Sequence, residues 1–437
     1  MDQPKEVILE FEAGSPVRPW NSAQRILFRL AFVYFLLYIF PFPFNRFEFF
    51  NFLSSRYAIG EAAVVTWAGR HVVGIEKPVV QKFNGSGDTT FDFVHNFCIL
   101  VVAAVIALIW SALGTRKTRY PFLHDLLRIY IRFFLGITLI GYGMDKVFPL
   151  QFPAPSPGRL MSTYGDSSPM GLLWTFMGFS TAYEVFAGAI ETLAGLLLLF
   201  RRTTTLGSLL SVCVLTNIVM LNFCFDVPVK LFSSNLLLMA VFLLMPELRR
   251  LLNFLVLNRP TTTATLLPIP GPRWTRVLRV VFGLAFAGYF TWSTCHEIAA
   301  NWHVRSAGPK PPLYGLWDVE SFTLDGKDVP PLTTNAKRWR RVYFNEWGGL
   351  GVRLMDDSRL GFITESDAAA HKITISARED PNTKHALNYS QQDAGRASIE
   401  GKLLNETIIV GLRKIDTPSS LLMDRGFHWI NEFPFNR

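Results

Sequence analysis

The sequence predicts a polytopic α-helical membrane bundle followed by an all-β antiparallel barrel or sandwich, and three observations carry that expectation. Half of the 437 residues are hydrophobic and only 18% are charged, a balance outside that of soluble globular chains. Long apolar runs fill the chain as far as Ser306, and beyond it they give way to short segments in which apolar and polar residues alternate. Charge divides at the same place: residues 1–306 hold 26 Lys and Arg against 17 Asp and Glu, whereas residues 307–437 hold 17 of each. The whole excess of +9 therefore sits in the apolar part, where it serves membrane topology and lipid head groups, and no nucleic-acid surface is expected. The expected domains are a transmembrane helical domain over 1–306 and a β domain over 307–437.

A spanning helix needs about 20 mainly apolar residues, and about seven stretches qualify. They are Ala23 to Phe42, Phe97 to Leu113, Leu126 to Tyr142, Ala182 to Phe200, Leu206 to Phe225, Leu231 to Met245 and Val277 to Thr294. No small-residue cleavage site follows Ile26 to Phe40, so the first run reads as an uncleaved anchor. Basic residues recur in alternate connections: Arg116, Lys117, Arg119 and Arg128; then Arg201 and Arg202; then Arg249, Arg250, Arg259, Arg273, Arg276 and Arg279. The positive-inside rule places these connections and the N-terminus in the cytoplasm, and the β domain on the extracytoplasmic side of the cytoplasmic (inner) membrane. Two outer segments are long: Pro43 to Asn96, with the turn-like Asn84-Gly-Ser-Gly-Asp88, and the Pro-rich Gly143 to Thr181. Thr261 to Pro272 reads as a linker before the last helix.

Ionisable residues inside apolar runs mark the candidate site, because a charge near the bilayer centre costs at least about 2.5 to 3.5 kcal/mol and requires a partner or a polar cavity. Glu184 and Glu191 lie seven residues apart, on one face of the fourth expected helix. The third helix runs the opposite way, so depth alone pairs Lys146 with Glu184 and Arg132 with Glu191. Tyr142 and Asn217 are added as further polar lining. A polar pocket and an ion-pair lock that fixes helix order are equally weighted readings of this set. Asn217, Asn222 and Asn235 fit either a quinone carbonyl or interhelical hydrogen bonds.

The stretch Arg132-Phe-Phe-Leu-Gly136, then Gly141-Tyr-Gly-Met-Asp-Lys146, then Glu184 to Gly195, then Leu196 to Arg202 and Thr205-Leu-Gly207 resembles the DoxX-like family of bacterial membrane proteins. The resemblance covers about residues 128–245, within a core expected over about 126–245, and departs from compact members by helices at both ends, a long first outer loop and the β domain. It implies a four-helix core, residence in the cytoplasmic membrane and, in some members, association with partner subunits of quinone-linked oxidoreductase or thiol-redox complexes.

Electron-carrying signatures are otherwise missing from the sequence. Cys98, Cys213, Cys224 and Cys295 form no CxxC pair. Among the eight His residues only His296 sits at a span end, between Trp292 and Trp302, which fits an interfacial belt better than a haem or metal ligand. No metal site is expected, and a quinone is the only cofactor under consideration.

In the β domain, period-2 patterns run over Leu316 to Leu324, Trp339 to Asn345, Gly351 to Met355, Leu360 to Thr364, Lys372 to Ala377, Ala386 to Ser390, Ala397 to Leu403, Thr407 to Arg413 and Ser420 to Met423. Turn signals such as Asp325-Gly326, Asp380-Pro381 and Glu400-Gly401 separate them, which predicts about eight or nine antiparallel strands. Gly315-Leu-Trp317 on the first strand with the late Arg425 resembles the lipocalin pattern, which implies a Trp closing one barrel end with the Arg packed across it. A filled structural β domain is the competing expectation. The basic cluster Lys337, Arg338, Arg340 and Arg341 is read as a solvated strand edge or a lipid-facing patch.

Two functions follow. The first is a non-haem subunit of a membrane redox complex that binds a quinone or similar amphiphile near Glu184, Glu191, Lys146 and Arg132. The alternative is a non-catalytic membrane scaffold that presents a lipocalin-like binding domain outside the membrane.

Overall fold

Local sequence fixes where the first helices begin. Asn21 accepts from Gln24 N at 2.8 Å while Gln24 Oε1 accepts from Asn21 N at 3.0 Å, a reciprocal cap that opens α1, Ser22–Ile39. Thr89 and Asp92 make the same exchange at the start of α3, Thr90–Leu113. The computed structural model describes residues 20–81, 84–114, 120–261, 272–307, 310–346, 348–377, 380, 382–403, 405–415 and 421–435. Arg116, Lys117 and Arg119, most of the linker Thr261 to Pro272 and Pro381 of the expected Asp380-Pro381 turn lie outside the described residues.

The chain forms two units. The first takes in Met1–Met144 and Ala187–His296, and the second Asp145–Phe186 and Glu297–Arg437. The Pro-rich segment Asp145–Phe186 thus falls in the same unit as the β region. The continuous helices α4 (Pro121–Val147), α7 (Thr181–Leu199) and α11 (Arg273–Ala307) carry the chain from one unit to the other.

Among the described residues, six helices are long and apolar enough to cross a membrane: those in Ser22–Arg46, Thr90–Leu113, Pro121–Val147, Thr181–Leu199, Thr204–Cys224 and Lys230–Leu255. The expected seventh, Val277 to Thr294, lies inside the 35-residue α11 and is not one of these six. Between α1 and α3, part of the expected first outer loop is the helix α2, Asn51–His71. Its Val65 and Ala68 pack with Val79, Phe91 and Val94, and Val79 fills the space beside Gly69, where a Cβ would meet it at 2.8 Å. The turn at Gly87-Asp88 is a tie: Asp88 accepts from Lys230 N at 2.8 Å and Leu231 N at 2.9 Å, capping α9, Lys230–Leu244.

The core of the first unit is a stripe on α4, Leu127, Ile131, Leu135 and Leu139, packed with Leu198 of α7, Leu215 of α8 (Thr204–Cys224), and Met239 and Leu243 of α9. Positions four apart on one helix share a face, which is why this stripe is continuous.

The second unit begins with short helices α5, Pro157–Leu160, and α6, Pro169–Phe179, before α7. After α10 (Leu248–Leu255) and α11 come the strands. They are β1 (Gly315–Leu324), the two-residue β2 (Lys327–Asp328), β3 (Trp339–Phe344), β4 (Gly349–Leu354), β5 (Arg359–Asp367), β6 (Lys372–Ala377), β7 (Lys384–Gln391), β8 (Arg396–Leu403) and β9 (Glu406–Ile415). β1 and β3 to β9 pair antiparallel in sequence order, and β9 returns to β1 in register Trp317 with Lys414 and Val319 with Leu412. The sheet therefore closes into an eight-strand barrel; β2 is a short hairpin arm on β1. The expected last strand, Ser420 to Met423, is instead partly outside the described residues and partly the helical turn α12, Leu421–Asp424.

Inward-pointing residues pair across neighbouring strands, as Val342 with Val352, Leu350 with Phe362, Ile373 with Leu387 and Ile399 with Val410. They join Trp317, Phe322 and Trp339 in one buried apolar cluster. Eight strands leave an interior just wide enough for side chains to fill, and here large side chains pack into it.

On the outer barrel surface, Tyr343 lies across the directly opposed Gly351 and also against Gly158 of α5, so close that a Cβ at either glycine would collide with its ring. Arg353 Nη1 donates to Met161 O at 3.1 Å, and Arg359 meets Ser162 Oγ at 3.1 Å and Asp166 Oδ2 at 2.8 Å. This seam holds the Asp145–Phe186 segment on the barrel.

Candidate functional site

The charged residues picked out from the sequence are buried. Glu184 is 1% exposed, and its Oε1 accepts from Phe152 N at 3.0 Å. Lys146 is also buried, near enough for its charge to act on that carboxylate. The Glu184 carboxylate thus engages a backbone amide that sequence alone did not indicate. Phe152 N is a donor that would otherwise be buried without a partner, so Glu184 fixes the chain after α4 to the start of α7.

Arg132 does not follow the depth argument. Its Nε donates to Leu198 O at 3.0 Å and its Nη2 to Leu199 O at 3.1 Å. These are C-terminal carbonyls of α7, left without intrahelical partners, and a cation there also suits the helix dipole. They lie at least seven residues beyond Glu191, about 10 Å along the axis, which corrects the expected Arg132–Glu191 pair.

The reason for the difference is the register of α4 against α7. Gly136 lies on Gly195, where a Cβ would be 3.1 Å from Gly195 O, and Gly143 lies on Gly188 and Thr192. Both pairs are spaced by seven residues in an antiparallel sense, so the helices approach through small residues over two turns. This register carries Arg132 past Glu191 to the end of α7. Glu191 is itself buried, on the same helix as Glu184.

The remaining pocket residues are placed differently. Tyr142 is 41% exposed, with its ring 6.2 Å from Phe232, and Asn217 is exposed on α8. Asn222 and Asn235, in contrast, are buried in interhelical contacts: Asn222 Nδ2 donates to Ser233 Oγ at 3.0 Å, and Asn235 Oδ1 accepts from Tyr34 Oη at 2.6 Å. These bonds account for both residues without a ligand. Arg29, missed in the sequence because it sits in the otherwise apolar first run, donates to Tyr120 Oη and Ser111 Oγ and faces the Trp110 ring.

In the barrel, Gly315 has φ +118°, a conformation open to glycine, and Trp317 is buried with its Nε1 donating to Leu313 O at 2.7 Å. The cation on the Trp317 ring is Lys414, 5.7 Å from its centroid and directly across the β1–β9 pair. Arg425 instead lies 3.8 Å above Phe435 and donates to Asn431 Oδ1 at 2.5 Å, which corrects its expected role across Trp317. The basic cluster is also internally matched. Lys337 pairs with Glu406, Arg340 with Asp357 and Arg341 with Asp318, while the buried Arg338 reaches Glu320 O at 3.5 Å.

Among the described residues no group of three or more His, Cys, Asp or Glu is gathered to hold a metal. The fold and these contacts define a multi-pass membrane protein in which buried polar groups tie helices together and a filled eight-strand barrel follows. A relative in Bacillus subtilis (strain 168), the uncharacterized protein YwoB, is 37% identical over 119 residues, 27% of this chain and 75% of the relative. The chain belongs to the family of that protein. No protein-family model and no solved structure matches it.

Proposed function

We propose that this protein is a non-catalytic membrane scaffold, whose DoxX-like helical region anchors the β-barrel on the extracytoplasmic side of the cytoplasmic membrane. The observation that carries this reading is the engagement of buried polar groups by the protein's own backbone and side chains. Arg132 serves two helix-end carbonyls, Glu184 a backbone amide, and Asn222 and Asn235 neighbouring helices. Intramembrane polar residues used this way fix helix order. The filled barrel core favours a role for the outer barrel surface over a lipocalin-like interior site. Membrane lipids are the expected contacts of the exposed apolar helix faces.

A second reading is favoured by the near-complete burial of Lys146, Glu184 and Glu191: a non-haem subunit of a redox complex that binds a quinone beside these groups, with partner subunits supplying the electron-transfer centre. One experiment separates the two. Full-length protein, Glu184→Gln and Glu191→Gln are purified in mild detergent, their lipids are extracted, and their melting temperatures are measured. The scaffold reading expects lower melting temperatures and an unchanged set of extracted amphiphiles. A quinone recovered with the unmutated protein and lost from either variant overturns it in favour of the redox subunit.

A further inference from the structure

Helix α2 lies beside α3 and leaves a groove of about 390 Å³ whose walls include Arg56, Gly60 and Glu61 of α2 and His95, Ile99 and Val102 of α3. That volume is toward the lower end of the roughly 300–1,000 Å³ of small-ligand sites, which suits one acyl chain better than a two-chain phospholipid. Ile99 and Val102 belong to a membrane-crossing helix, so the apolar wall is continuous with a lipid-facing surface.

The polar wall has unused capacity. His95 Nε2 meets Glu61 Oε1 at 2.5 Å, and His95 Nδ1 makes no hydrogen bond among the described residues. The Arg56 guanidinium stacks 5.2 Å from the Phe52 centroid and makes no ion pair among the described residues. Arg56 lines the groove as a cation, and its planar fork fits a single carboxylate.

Gly60 supplies an independent indication. It sits in the interior of α2, where glycine costs about 1 kcal/mol relative to alanine. A Cβ there would meet nothing within 4 Å, so packing does not require the glycine. Its missing side chain instead keeps the groove open.

We propose that this groove binds a long-chain fatty acid, with the carboxylate held by Arg56 and the chain lying along Ile99 and Val102. The site is separate from the α4–α7 charges and does not depend on the scaffold reading. The test is equilibrium binding of radiolabelled palmitate to the full-length protein in non-ionic detergent, with 1-hexadecanol as the uncharged competitor. Palmitate should bind saturably, and hexadecanol should compete at least about tenfold less well, the loss expected of charge-assisted hydrogen bonds. Gly60→Leu should abolish binding while leaving the melting temperature equal or higher, and Arg56→Gln should weaken palmitate at least about tenfold. Unchanged palmitate binding in Gly60→Leu overturns the location of the site. Equal competition by hexadecanol overturns the carboxylate.

Discussion

The helical region and the barrel solve burial in opposite ways. The barrel's described core is almost wholly apolar, with only Arg338 and Ser376 buried among its polar residues. The membrane-crossing helices bury Arg29, Arg132, Lys146, Glu184, Glu191, Asn222 and Asn235, together with several Ser and Thr. The difference follows from the solvent. Water drives apolar strand faces together, whereas lipid tails are as apolar as Leu and give helices no such drive. Helix association then rests on close backbone approach and hydrogen bonds, which the Gly136–Gly195 and Gly143–Gly188 contacts and the Asn and Arg bonds supply.

If that contrast is right, the largest single effect should come from a cavity in the barrel. Phe322 is 1% exposed and packs 5.9 Å from Trp339, so Phe322→Ala should cost about 3–5 kcal/mol in denaturant unfolding followed by near-ultraviolet circular dichroism. A cost below about 1 kcal/mol would mean that the barrel core collapses around the gap and is not close-packed. In the helices, adding atoms should do the damage. A Cβ at Gly143 would fall 2.6 Å from Thr192 N and 2.7 Å from Gly188 O, both backbone atoms that cannot swing aside. Gly143→Ala should therefore cost about 1–3 kcal/mol, although Ala is the better helix former. A stabilised Gly143→Ala, read from the melting temperature in detergent, would show that the two helices are not in this contact.

Polar glue should rank below both. Asn235→Leu removes the bond from Tyr34 and leaves that hydroxyl its second acceptor, Asn96 Oδ1 at 2.8 Å. Interhelical bonds of this kind average about 0.6 kcal/mol and reach about 1.7 kcal/mol. The double mutant cycle of Asn235→Leu with Tyr34→Phe should give a coupling in that range, and zero coupling would remove hydrogen bonding from the account of helix order.

How much of this was legible in the sequence also divides by region. Strands β1 and β3 to β9 were readable because a half-buried strand writes its face as strict alternation, seen in Ile408, Val410 and Leu412 of β9. Closure was not readable, because the register of Trp317 against Lys414 joins residues nearly a hundred positions apart. For the helices, the spans were evident from apolar length, yet α2 was missed because its sequence is only weakly apolar. With α2 went the Glu61–His95 pair, although His95 near the start of α3 was a visible polar residue in an apolar run. Arg132 was found, but its partners are backbone carbonyls, which no side-chain pairing rule can name. Depth was the wrong guide there because the register at the Gly136–Gly195 contact carries Arg132 to the end of α7.

The smallest expected effect tests how the barrel keeps the Asp145–Phe186 segment. The Thr163 hydroxyl, and then the charge of Arg359, hold the Asp166 carboxyl below its usual value. A depressed carboxylate contributes stability that is fully present above its unfolded value, about 3.9, and is lost as pH falls through the folded value. Hydrogen exchange at the amides of Met161, Asp166 and Ser167, which donate to Pro157 O, Thr163 O and Tyr164 O, should stay protected down to about pH 4 and weaken below it. Asp166→Asn should start less protected and lose that pH dependence. Because Asp166 is exposed, the change should be small, with solvent screening most of the pair. If the variant keeps the same pH profile, the segment is held by Tyr343 against Gly158 and by Arg353 on Met161 O, contacts that do not titrate in this range. In that case even the polar edge of the barrel follows the rule of its core, with packing ahead of charge.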